Sequence, residues 1–107
     1  MNRRVVVLPE AEDDLVAIYR FVAENDSINH ADGLLDKIEN KCSSLSELSR
    51  RGHRVPELKR MHVGTFREIH FKPYRIIYQV VGNSVFIHAV LDGRRELQEL
   101  LEKRILG

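Results

Sequence analysis

The sequence predicts an α+β fold in which a short strand, two helices, three strands and a last helix follow one another, in the order β-α-α-β-β-β-α. Three observations support it. Two apolar stripes at helical spacing lie within residues 10–48, three alternating strand-like segments lie within residues 66–91, and a further helical stripe follows within residues 97–105. At 107 residues the chain has the length of one domain, so we expect residues 1–107 to share one core.

The first half predicts a strand and a helical hairpin. Residues Arg3–Leu8 are a β-branched run that ends at Pro9, which is tolerated in a first helical turn, and the acidic residues after it suit the positive end of the helix dipole. Asn25–Asn29 interrupts the helical pattern and supplies capping side chains, so two antiparallel helices are expected. The apolar stripes comprise Leu15, Ile18, Tyr19 and Val22, then Ala31, Leu34, Leu35, Ile38, Cys42, Leu45 and Leu48.

The second half predicts an antiparallel meander and a last helix. Residues 49–56 read as a loop, and strands are expected at Phe66–Phe71, Tyr74–Val81 and Ser84–Leu91, the last two joined by a hairpin turn at residues 82–83. Asp92 is a plausible cap for a helix that follows at once and places Leu97, Leu100, Leu101 and Ile105 on one face. We expect the helical hairpin to pack on one face of this small antiparallel sheet and to leave the other face free for function.

Composition excludes several classes of protein. The chain is 43% hydrophobic and 31% charged, its apolar residues are too dispersed for a membrane span, and no signal peptide is recognisable, so we expect a cytoplasmic protein. The single cysteine, Cys42, cannot form an internal disulfide and lies inside the second apolar stripe. We therefore expect no redox chemistry, no metal site and no cofactor.

The charge is unevenly distributed although the net charge is only +1. Lys and Arg number 5 against 10 acidic residues in positions 1–49, 8 against 2 in positions 50–75, and 4 against 4 in positions 76–107. An acidic first half thus adjoins a basic middle. This asymmetry favours docking onto an acidic partner or a polyanion, although solvated surface charge is the plain alternative.

Three motifs occur in a characteristic order: Arg54–Leu58, then Phe66–Ile69 leading into Tyr74–Tyr78, and finally Gly93–Arg95. Together they resemble the RelE/ParE superfamily, the toxins of bacterial type II toxin–antitoxin operons, over essentially the whole chain. The resemblance implies a toxin held by a cognate antitoxin in a hetero-oligomeric complex, with operator DNA bound only through the antitoxin. One branch of this family poisons DNA gyrase, and the other cuts messenger RNA on the ribosome.

The motifs look more like those of the ParE, gyrase-directed branch, which implies a toxin that performs no reaction itself. Under this interpretation the basic flank of the last helix contacts gyrase, and middle arginines meet an acidic antitoxin tail. The gyrase candidates are Arg94, Arg95, Lys103 and Arg104. The antitoxin candidates are Arg54, Arg67 and Arg75.

The alternative is a RelE-like endoribonuclease. Arg75 and Arg95 match phosphate-binding arginines of those enzymes, but Leu101 stands where they have a tyrosine near the reaction. Strand alternation places Glu68 and His70 on one face with Arg75, where acid–base chemistry is conceivable, and His88 joins them if Val85, Ile87 and Ala89 point inward. A degenerate, non-toxic member that still binds antitoxin is a third possibility. The other histidines, His30, His53 and His62, are given no role.

Overall fold

The computed structural model describes residues 2–60 and 65–107, and within them the chain forms the predicted α+β architecture. Among these residues, no helix is long and apolar enough to cross a membrane. A 3-10 turn at Ser44–Ser46 extends the second helix. The elements are β1 (Arg4–Val7), α1 (Pro9–Asn25), α2 (Ile28–Ser43), β2 (His53–Arg54), α3 (Pro56–Lys59), β3 (Phe66–Phe71), β4 (Tyr74–Val81), β5 (Ser84–Asp92) and α4 (Gln98–Leu106).

The strands form one mixed sheet in the order β1-β5-β4-β3-β2. Strands β3, β4 and β5 are the predicted antiparallel meander, whereas β1 lies parallel to β5, with residues 4–7 opposite residues 84–87. Gly82 has a φ of 58° in the β4–β5 turn, a conformation that glycine adopts without steric cost. The meander therefore supplies the centre of the sheet, and β1 and β2 form its edges.

The helical hairpin covers one face of the sheet and encloses the first core. Helix α1 begins at Pro9 as predicted, and the Ser27 hydroxyl caps α2 by accepting a hydrogen bond from the His30 backbone N–H at 3.0 Å. Cys42 is 4% exposed in this core, and burial raises the pKa of its thiol to about 11. The buried members of the first core are Ala11, Leu15, Ile38, Cys42, Leu45, Ile69, Ile76, Tyr78, Val85, Ile87 and Val90.

The opposite face is also covered, so the prediction of a free sheet face is wrong. Ile77 is fully buried there against α4 and α3, because an apolar side chain on that face gains from removal from water. Helix α3 was not predicted, and α4 begins at Gln98, later than predicted from Asp92. The second core comprises Val55, Leu58, Phe66, Ile77, Ala89, Leu91, Leu97 and Leu101.

A β-bulge in β5 reverses the expected orientation of part of that strand. Ile77 pairs with Ala89 while the next residue, Tyr78, pairs with Ile87, so His88 is the extra residue. Ile87 consequently lies in the first core and Ala89 in the second. The assumption that these two side chains point the same way is therefore wrong.

Candidate functional site

A charged cluster lies at the end of the sheet where β3 and β4 approach α3. Arg75 of β4 donates to Glu57 of α3 through Nη1 and Nη2, each at 2.7 Å, and to Glu68 of β3 through Nε at 3.0 Å and Nη2 at 2.6 Å. The side chains of Arg75 and Glu57 are each 14% exposed, and that of Glu68 is 2% exposed. We call these three side chains the arginine–glutamate cluster.

The cluster carries one positive and two negative charges. Hydrogen bonds from Arg75 lower the pKa of Glu57, and the same pairing raises the pKa of Arg75 above its ordinary value. Burial alone would raise the pKa of Glu68, but hydrogen bonds from Arg75 and His70 outweigh it, and its pKa is lowered. Both carboxylates therefore stay ionised at neutral pH, and the cluster has a net charge of −1.

Two histidines extend the cluster to the surface. The Nε2 atom of His70 is hydrogen-bonded to Oε1 of Glu68, and Nε2 of His53 lies 3.6 Å from the same oxygen. The two rings meet edge to face, with centroids 5.2 Å apart. Strand β2 pairs His53 with Glu68 across the ladder, so this two-residue strand creates the juxtaposition.

Two site residues, His53 and Glu57, were not predicted. They lie on β2 and α3, which are two and four residues long, and such short elements leave no periodic signal in a sequence. The one available signal was the Arg54–Leu58 motif, which contains Glu57 and directly follows His53. His62 lies outside the described residues.

The predicted group of Glu68, His70 and Arg75 does come together, but His88 lies apart from it. The His88 ring packs edge-on against Phe66, with centroids 4.8 Å apart, and burial lowers the pKa of His88. Its Nε2 atom is buried without a hydrogen-bond partner among residues 2–60 and 65–107. His88 is the extra residue of the bulge in β5, and it packs on Phe66 of the second core instead of beside the carboxylates.

The arginines proposed to meet an antitoxin have different environments. Arg67 is half-buried and donates from Nη1 to the carbonyl of Gly52 at 2.8 Å and to that of Arg50 at 3.4 Å, whereas Arg54 beside it in β2 is exposed. The Gly52 N–H donates to the Tyr78 hydroxyl at 3.0 Å. These bonds pin the loop before β2 onto the sheet.

The C-terminal cations differ in their surroundings. The Arg94 guanidinium donates to Asp92 at 3.0 and 2.7 Å, and its hydrogen bonds lower the pKa of Asp92 to about 2. Asp92 also accepts from the Arg94 backbone N–H at 2.9 Å, so it caps a turn after β5 and not α4. Arg104 donates to Asp14 of α1 at 2.7 and 3.1 Å. Arg95 and Lys103 are exposed.

Comparison with known proteins gives consistent results. The family model described as ParE toxin of type II toxin-antitoxin system, parDE, matches residues 5–97. Toxin ParE3 of Caulobacter vibrioides is 31% identical over 101 residues, which are 94% of this chain and 97% of that protein. A solved structure titled "Chromosomal ParDE TA system from P. aeruginosa" superposes with a TM-score of 0.68 at 18% identity, over 82% of this chain and 92% of that one. At that identity the structural match supports the fold.

Proposed function

This chain belongs to the ParE toxins of type II toxin–antitoxin systems, and we propose that it acts by inhibiting DNA gyrase without performing a reaction itself. A cognate antitoxin would keep it silent until needed. The proposal depends chiefly on one observation, the engagement of Arg75 by two carboxylates.

Arg75 stands at the position that matches a phosphate-binding arginine of the nuclease branch. Here its guanidinium already donates four hydrogen bonds, two to Glu57 and two to Glu68. A phosphodiester would have to displace a carboxylate from a buried pair, which leaves a negative charge without a partner and costs several kcal/mol, on the order of 3–5. This cost argues against RNA cleavage and supports a toxin that acts by binding.

A second position supports the same conclusion. Leu101, where RelE-like enzymes have a tyrosine near the reaction, is fully buried in the second core. A side chain enclosed there cannot reach a substrate. Leu101 therefore supplies no group for acid–base chemistry at this position.

We propose that gyrase contacts the basic turn and helix at the C-terminal end of the chain, through Arg94, Arg95, Lys103 and Arg104. Arg95 and Lys103 are exposed, so their charges are available to a partner. Arg104 is 21% exposed and held by Asp14, which assigns it a largely structural part in that surface.

The antitoxin surface is proposed to include Arg54, Arg67 and Arg75. Arg54 is exposed and can pair directly with an acidic antitoxin segment, while Arg67 holds the loop that presents it. Arg75 would contribute by fixing α3 against the sheet, since its own charge is neutralised within the arginine–glutamate cluster.

A plasmid supercoiling assay with purified gyrase, ATP and increasing toxin tests the proposal. We expect loss of supercoiling together with accumulation of cleaved DNA, because a gyrase poison traps the cleaved intermediate. The double variant Arg95→Ala, Lys103→Ala should inhibit at least about tenfold less well, which corresponds to losing about 1.4 kcal/mol of binding. The matched control Arg20→Ala, Lys37→Ala removes two exposed cations of α1 and α2 and should inhibit normally. Full gyrase activity at excess folded toxin would reject the proposal.

One observation favours ribosome-dependent mRNA cleavage as a second candidate function. His70 is 46% exposed and hydrogen-bonded to a buried carboxylate, an arrangement that can orient an imidazole as a base. Ribosome-dependent mRNA cleavage that disappears in His70→Gln, in a chain without effect on gyrase, would establish it. A folded chain inactive in both assays would instead be a non-toxic member that binds antitoxin.

A further inference from the structure

We propose that His53, Glu68 and His70 form a binding site for one divalent transition-metal ion, of which Zn²⁺ is the best match. One donor atom from each residue lies within 4.8 Å of the others. Neither gyrase inhibition nor antitoxin binding requires such a site. The proposal differs from the expectation of no metal site, which was based on the single cysteine and did not include histidines.

The donor atoms converge on one point. Nε2 of His70 and Nε2 of His53 both face Oε1 of Glu68, the second at 3.6 Å, from rings that are nearly perpendicular at 89°. Donor atoms about 2.0–2.1 Å from a tetrahedral zinc ion lie about 3.3 Å from one another. The distance from His53 Nε2 to Glu68 Oε1 fits this spacing. His70 Nε2 lies closer to that oxygen, and a small rotation of the 46% exposed His70 side chain would make room for the ion between them.

The carboxylate is held in place before any ion arrives. Glu68 is 2% exposed and is fixed by two hydrogen bonds from Arg75, as a ligating carboxylate commonly is by its outer neighbours. Glu57 binds the same guanidinium through Nη1 and Nη2, so two carboxylates share one cation and the cluster keeps a net charge of −1 beside the two imidazoles. This negative charge favours a cation at the point where the two rings meet the carboxylate, and imidazole nitrogen is a preferred ligand of Zn²⁺.

The neighbouring side chains favour an anionic fourth ligand. Lys41 and Arg51 line the same surface depression as the three ligands. Three protein ligands leave one coordination position open, and two cations beside it suit an anionic fourth ligand such as chloride or a carboxylate. Two nitrogen donors among the three argue against Mg²⁺ or Ca²⁺, which take oxygen ligands.

The test is a titration of the tag-free, full-length chain with ZnCl₂ in competition with a chromophoric chelator at pH 7.5. We expect one equivalent of zinc, and both His53→Ala and His70→Ala should weaken binding by at least about tenfold. His30→Ala is the matched control, because His30 is 61% exposed and paired with Asp26 on the helical hairpin. It should bind zinc like the unchanged chain.

A second readout guards against misfolded variants. Zinc should raise the thermal unfolding midpoint of the unchanged chain and of His30→Ala, and should leave that of His53→Ala and His70→Ala unchanged, since an ion stabilises only a fold that binds it. Absence of stoichiometric binding overturns the proposal. So does equal weakening in His30→Ala, or weakening in only one of the two ligand variants.

Discussion

The positive charge of Arg75 is paired with two carboxylates inside the protein. Its guanidinium joins α3 to β3 and β4 through Glu57 and Glu68, and all three side chains are largely buried. In such a pair, removal of one partner costs more than the pair contributes, because the remaining charge stays buried without compensation. A substitution of this arginine therefore tests folding before it tests any contact with a partner.

We expect Arg75→Met to lower the free energy of unfolding by about 3–5 kcal/mol at pH 7, because two buried carboxylates lose their shared cation. Urea denaturation measures this loss. Arg94→Met is the matched control, since Arg94 is 74% exposed and its pairing with Asp92 is screened by water. An equal loss in Arg94→Met would contradict this interpretation of Arg75.

The same variant has a defined pH dependence. Arg75 lowers the folded-state pKa of Glu57, so this pairing contributes stability above the unfolded pKa of about 4.3 and loses it as the pH falls through the folded value. The stability gap between the unchanged chain and Arg75→Met should therefore be full between about pH 5 and pH 7 and shrink as the pH falls below about 4.3. A gap that stays constant would show that the charge of Glu57 is not the cause.

Two glycines give opposite predictions. A Cβ atom at Gly52 would lie 2.5 Å from the Tyr78 hydroxyl and 2.6 Å from the Glu68 carbonyl oxygen, so Gly52→Ala must displace backbone and should destabilise by about 1–3 kcal/mol. At Gly33, inside α2, a Cβ atom would meet nothing within 4 Å, and Gly33→Ala should stabilise by about 0.5–1 kcal/mol. Urea denaturation of both variants checks the pair, and equal signs would contradict it.

At the scale of elements, the length of a segment decides what could be predicted. Strands β3 and β4 were predicted to the residue, because six to eight alternating residues bounded by turn signals are unambiguous. The short β2 and α3 have no such pattern, and the bulge at His88 changes register without a compositional mark. The start of α4 was misplaced because Asp92 caps a turn instead.

The site follows the elements. Glu68, His70 and Arg75 were grouped correctly because they lie on predicted strands, and strand alternation fixes their common face. His53 and Glu57 were missed with the short elements that carry them. The free sheet face was a wrong prediction, because α3 and α4 bring a second apolar layer onto it.

Helix α4 serves both the core and the proposed gyrase surface. Deletion of residues 96–107 should abolish toxicity, but it also removes Leu97 and Leu101 from the second core and Arg104 from its pair with Asp14. Separate substitutions distinguish the two roles. We expect Leu101→Ala to lower the free energy of unfolding by about 2–5 kcal/mol, because it leaves a cavity in a fully buried site.

Lys103→Ala, two residues further along α4, should unfold like the unchanged chain and still inhibit gyrase less well, because Lys103 is exposed. Urea denaturation and the supercoiling assay measure the two effects. Normal inhibition by this folded variant would remove Lys103 from the proposed surface. A large loss of stability would show that the residue also serves the core.

At the scale of the molecule, the basic segment of positions 50–75 buries two negative charges but only one positive charge. Both acidic residues of positions 50–75, Glu57 and Glu68, are held in the arginine–glutamate cluster with a single cation. The side chains left outside are therefore even more positive than the sequence count suggests. The exposed cations are Arg50, Arg51, Arg54, Lys59, Arg60 and Lys72.

This surface should accelerate capture by an acidic antitoxin. We expect the association rate constant, measured by stopped-flow mixing with the antitoxin, to fall by about tenfold between about 0.05 and 0.5 M salt, because salt screens steering between charges. The double variant Arg50→Gln, Arg54→Gln should show a shallower salt dependence. Arg20→Gln, Lys37→Gln should keep the full dependence, and identical behaviour of both double variants would refute steering by the basic segment.

The parallel pairing of β1 with β5 bears on when the protein can fold during its synthesis. Residues 4–7 leave the ribosome before residues 84–87, with which they pair, and the second core also needs Leu97 and Leu101. Contacts between segments so distant in sequence form late and slowly. The nascent chain should therefore stay incompletely folded through most of translation. A folded toxin forms only once nearly all of the described chain has been made.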